Sequence, residues 1–102
     1  MLIEGVDPRD IEWEVDDPVY RVYFWSPLGE DRPDVMYECE SYRIRDVASV
    51  HDVIAWANDA ARAEQTFTLY VEHRQVEHHR AGARQIHLGL IRLSGVNPTA
   101  SA

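Results

Sequence analysis

Residues 19–25 read Val-Tyr-Arg-Val-Tyr-Phe-Trp, and every position except Arg21 is apolar or aromatic. Successive side chains of a strand point to opposite sides, so Val19, Arg21, Tyr23 and Trp25 share one face and Tyr20, Val22 and Phe24 the other. Both faces of such a strand need cover. The chain has one long helix with which to supply it. Val50, Val53, Ile54, Ala57, Ala60 and Ala61 recur at three- and four-residue spacing through Ala63, one apolar stripe of about four turns. Ser49 suits the N-cap and Asp52 the first turn, so a helix is predicted over 49–63. Its alanines let it lie close on a sheet. A helix about 10 Å across cannot shield four or five strands spaced about 4.8 Å apart. Part of the sheet must find cover elsewhere.

The remaining segments complete the sheet. Residues 11–15 alternate apolar and acidic, the pattern of a half-buried strand, and Asp16-Asp17-Pro18 breaks it. Residues 26–34 have the composition of a loop, and a further strand is predicted over 35–45. Residues 66–72 alternate with Phe67, Leu69 and Val71 inward. Residues 86–93 are apolar enough for the middle of a sheet, and 100–102 are expected to fray. The expected fold is α+β. It is a two-layer sandwich, a four- to five-stranded antiparallel or mixed sheet with one main helix on one face. With 45% hydrophobic residues and no linker, repeat or low-complexity tract, residues 1–102 are read as one domain.

Charge narrows the function. Residues 1–40 carry twelve acids against three arginines, a net of −9, whereas residues 41–102 carry six acids against seven arginines. The overall −8 argues against nucleic-acid binding, which needs a basic face. The chain has no lysine, which excludes Schiff-base and Walker-type lysine chemistry. No apolar run reaches the length of about 18 residues that a membrane helix needs. The first residues lack the basic and apolar regions of a signal peptide. A single cysteine, Cys39, forms no internal disulfide, so a cytoplasmic, reducing location is expected.

Residues 72–87 hold four of the five histidines and three of the arginines that follow residue 72. The spacing offers no H-E-x-x-H or H-x-H, and adjacent His78 and His79 diverge on any regular element. A solvated connection over 74–85 is therefore favoured, with His73 and His87 near the bases of the flanking strands and no metal or other cofactor. Cys39 lies between Glu38 and Glu40, whose charges raise a thiol pKa rather than lower it. No G-x-S-x-G elbow or glycine-rich phosphate loop occurs, and no catalytic constellation is found.

Two readings follow. The first is a small non-catalytic protein-interaction module, a regulator, adaptor or immunity- or antitoxin-like protein, acting through an aromatic sheet face and an acidic surface. Arg21, Tyr23, Trp25 and Trp56 are its candidate contact residues, since tyrosine, tryptophan and arginine dominate interface hot spots. Its partner would be a second copy or another protein. The second reading is a small-molecule- or metal-binding domain, or an enzyme, using His73, Arg74 and His87. Zinc separates the two: equimolar Zn²⁺ is expected to leave the melting temperature almost unchanged. A rise of about ten degrees would reveal a preformed ligand set.

Overall fold

The apolar stretch at 19–25 becomes strand β1, Tyr20–Leu28, in the interior of a four-stranded antiparallel sheet. The computed structural model describes residues 1–29, 36–78, 82 and 84–99. Strand β2, Met36–Ile44, lines one edge of β1 from Tyr20↔Ile44 to Leu28↔Met36. Strand β3, Thr66–His78, lines the other from Tyr20↔Val71 to Trp25↔Thr66. Strand β4, Arg84–Ser94, pairs with the outer edge of β3, giving the order β2-β1-β3-β4. The α+β class, the single long helix and the antiparallel sheet are as expected.

Helix α1, Val50–Ala60, starts where its cap predicts: the Ser49 hydroxyl accepts from the His51 N–H at 3.0 Å. It stops three residues early because a turn competes with its last carbonyls. The Arg62 N–H donates to Gln65 Oε1 at 2.8 Å, the Gln65 N–H returns to the Arg62 carbonyl, and Glu64 takes a left-handed φ of 69°. Val53 and Ala57 are its buried residues, and they meet Tyr20, Val22 and Phe24 of β1 and Leu69 of β3. Val50, Ile54 and Ala61 flank them, while Ala60 is exposed. The small Ala57 permits this close approach, and its side chain is wholly enclosed.

Three expectations are corrected. Residues 11–15 form no strand. They lead directly into β1, both of whose edges are already taken, so the alternating segment cannot pair with the strand that follows it. The His/Arg segment is not a connection over 74–85. The ladder runs unbroken from Arg74↔Leu88 to His78↔Arg84, and residues 79–81 and 83 lie outside the described ones. The last strand, apolar enough to be central, stands at the sheet edge. Because β3 gives one side to β1, a hairpin partner following it can take only the outer side. The expected loop over 26–34 begins later, since β1 runs to Leu28, and residues 30–35 and 100–102 lie outside the described ones.

Gly95 ends β4 with φ +85°, and a Cβ there would sit 2.4 Å from the Phe67 carbonyl oxygen. Glycine alone allows the chain to fold back at that point.

The molecule is extended. Its Cα radius of gyration is 17.7 Å, against about 13 Å for a compact domain of this length. Its accessible surface is 8702 Å², against about 5,900 Å² for a compact monomer of this mass. The N-terminal arm exposes Leu2, Ile3, Val6, Ile11, Trp13 and Val15, and β3 continues well past the last residue it pairs with in β1.

Ala57→Glu places an unpaired charge in the helix–sheet seam and is expected to destabilise the fold by several kcal/mol. Thermal unfolding should show a fall of more than about 10 °C. A variant melting within a degree or two of the parent would place the seam elsewhere.

Candidate interaction surface

The sheet has a helix face and an open face. Register puts Tyr20, Val22 and Phe24 on the helix face with Ile44, Tyr42, Val71, Leu69 and Phe67. Arg21, Tyr23 and Trp25 lie on the open face with Arg43, Tyr70 and Thr68. The open face around β1 covers itself with its own side chains. Trp25 is buried and its indole N–H donates to the Thr68 hydroxyl at 3.0 Å. Thr68, fully buried, donates in turn to the Val96 carbonyl at 2.9 Å, which ties the C-terminal segment to this face. Tyr23 is half-buried, its ring 5.1 Å from Tyr70 and 6.1 Å from Trp25. Trp25 is thus an internal anchor and offers no surface to a partner. Trp56 belongs to the opposite side: 40% exposed, it packs edge-on against Phe24 and Tyr42 and closes the flank of the core. The four aromatic and arginine candidates do not form one patch.

Arg21 takes part in an ion cluster that sequence reading missed. Its Nε donates to Glu72 Oε2 at 2.6 Å, and Arg43 Nε donates to the same oxygen at 2.7 Å. The Glu72 side chain is only 3% exposed, covered by the two guanidinium groups, and Oε1 is buried with no hydrogen-bond partner among the described residues. Burial alone pushes the Glu72 carboxyl up, but the hydrogen bonds from Arg21 and Arg43 and their charges outweigh it and hold it below its ordinary value. No spacing rule in the sequence signals this cluster, because its members come from three strands.

The second candidate set divides between the two faces. His73 stands opposite Gly89 and His87 opposite Gln75, so the two histidines share the helix face as diagonal neighbours, while Arg74 points to the open face opposite Leu88. The His73 ring stacks on Trp13 at 6.3 Å between centroids, beside a shallow cleft of about 150 Å³ that also reaches Arg74 and Glu72. Among the described residues no group of three histidine, cysteine or acidic side chains gathers as a metal site. The exposed Cys39 thiol is held above its ordinary value, first by desolvation and then by the Glu40 charge, so little thiolate forms at neutral pH.

Strand β4 presents an exposed apolar edge. All eleven of its residues are exposed, and Ile86, Leu88, Leu90, Ile91 and Leu93 are each between 37% and 53% exposed. Between Arg84 and Arg92 the strand carries no charge while His87 is neutral. The other edge differs. Strand β2 carries Glu38, Glu40 and Arg43, and Glu40 is bridged by Arg62, the kind of charged edge that discourages strand pairing. Among the described residues no helix is long and apolar enough to cross a membrane. Comparison with known proteins returns no matching family model, no matching curated protein and no matching solved structure.

Because the folded carboxyl of Glu72 is depressed, its contribution to stability is present above the unfolded carboxylate value of about 4.3 and is lost as pH falls through the folded value. Glu72→Gln is therefore expected to lower the melting temperature at pH 6, with the difference from the parent shrinking as pH falls towards 3. A difference independent of pH would show that the carboxylate charge contributes nothing.

Proposed function

We propose that the chain is a small, non-catalytic, cytoplasmic protein-interaction module of the regulator, adaptor or immunity- or antitoxin-like kind, working through the β4 edge rather than through the aromatic face of β1. The single observation that carries this reading is the exposed, eleven-residue, largely uncharged strand at one sheet edge. Such an edge presents a row of free main-chain donors and acceptors flanked by apolar side chains, the surface on which β-strand addition operates. Main-chain pairing supplies affinity there, and the side chains on either face supply selectivity. The net charge of −8 makes encounter sensitive to salt. The free Cys39 suits a reducing compartment.

The test compares the tagged parent with the double variant Leu88→Lys, Leu90→Lys in capture from native extract at low and high salt. The expected result is a stoichiometric associated species, another protein or the untagged chain, held by the parent and lost by the variant while both keep the same circular dichroism. Equal capture by both would remove the β4 edge from the function.

A further inference from the structure

The hydrogen-bonding pattern along the free side of β4 is defined by one bond on the far side of β3. The Glu72 N–H donates to the Val19 carbonyl at 2.8 Å, so the main-chain groups of Glu72 face the start of β1. Alternation turns those of His73 and Gln75 towards β4, where they meet Gly89 and His87. The N–H and C=O groups of Ile86, Leu88 and Leu90 accordingly point away from the sheet. These residues also carry exposed apolar side chains, all on the open face.

We propose that the occupant of this edge is a second copy of the chain. Its β4 runs antiparallel to the first about a two-fold axis through Gly89, and the two sheets join into one of eight strands. This deepens, and rests on, the reading of β4 as the interaction edge. A two-fold perpendicular to the sheet keeps every side chain on its own face and makes the contact self-complementary.

The register follows from charge and length. Gly89 is the midpoint of the eleven-residue strand, so an axis there pairs the whole of it. Leu88 then lies opposite the partner's Leu90, Ile86 opposite the partner's Arg92, and Arg84 opposite the partner's Ser94. An axis at Leu88 would set Arg84 against the partner's Arg92 twice, like charges directly opposed. An axis at Leu90 would leave Arg84 and Gln85 beyond the end of the partner's strand.

Gly89 itself points the same way. Among the described residues, a Cβ at this position would meet only the His73 carbonyl oxygen, at an ordinary 3.8 Å, so none of them calls for glycine. Glycine in a strand interior is unfavourable and commonly marks the close approach of another backbone. The two copies of Gly89 would form the narrow pair of the ladder, with Cα atoms about 4.5 Å apart.

Size exclusion with light scattering on the purified parent at micromolar concentration is the first measurement, and a dimer is expected. Leu88→Pro removes one outward N–H and no bond inside the hairpin, and should yield a monomer with unchanged circular dichroism. Should that variant misfold, Leu88→Lys with Leu90→Lys keeps every N–H and sets lysine against lysine twice, with the same expected loss of dimer. Hydrogen exchange gives the register: Leu88 and Leu90 amides should be protected in the parent and exposed in the lysine variant, with His87 and Gly89 protected in both. A dimer that survives both variants, or one with Leu88 and Leu90 amides freely exchanging, would overturn the proposal. A monomeric parent would also overturn it, yet would leave the interaction reading standing if the lysine variant still lost a captured protein. No edge-dependent association of either kind sinks both.

Discussion

Strand β1 is paired along both of its edges, and that double pairing constrains everything around it. With β2 on one side and β3 on the other, no third strand can reach β1, and the N-terminal arm that precedes it forms no strand beside it. The helix can then bury only one side of the central pair, and it does so with Val53 and Ala57 over Tyr20, Val22, Phe24 and Leu69. Every later strand must be added outside β3. The fold therefore grows sideways from a small core, and the hairpin partner β4 is left with one bare edge and two half-covered faces.

The uncovered side of β1 resolves the shortage of helix in two ways. At one end, Trp25, Tyr23, Tyr70 and Thr68 pack on one another, with Val96 tied down by the Thr68 hydroxyl. At the other, Glu72 gathers Arg21 and Arg43 over itself, turning three charged residues into a lid that keeps the carboxylate from water. An ion cluster of this kind contributes less to stability than an apolar layer would, because desolvating the carboxylate offsets much of the attraction. It does fix the relative placement of β1, β2 and β3, since one oxygen is shared by donors from two strands.

How much of this the sequence discloses depends on the range of the interaction. Periodicity and capping are local, and they place α1 within three residues and most strands within a few. The Ser49 cap, whose hydroxyl accepts from the His51 N–H, is legible for the same reason. Sheet order is not local. The apolar run at 86–93 reads as a central strand because burial is assumed for it, whereas the hairpin with β3 forces it to an edge. The alternation at 11–15 fails in the mirror-image way: it has the pattern of a strand and cannot pair with the strand that follows it. The Glu72 cluster joins residues 29 and 51 positions apart, beyond any motif. The histidines at 73 and 87 attract attention by composition, but their place on a regular ladder with Arg74 facing away explains why these three residues do not converge. The two mismatches of pattern and position are an unpaired alternating arm and an apolar edge, and the proposed function rests on the second.

An exposed apolar edge is ordinarily a route to open-ended aggregation, and the asymmetry between the two edges answers that hazard. Pairing β4 with its own copy, as proposed, would consume that bare edge in both molecules at once. What remains at the two ends of the joined sheet is β2, whose Glu38, Glu40 and Arg43 face any incoming strand with charge. A two-fold contact closes on itself, whereas a head-to-tail contact between β4 and β2 would propagate. The acids on β2 and the absence of formal charge between Arg84 and Arg92 make the two edges unlike. In the proposed dimer, that difference would limit association to two chains.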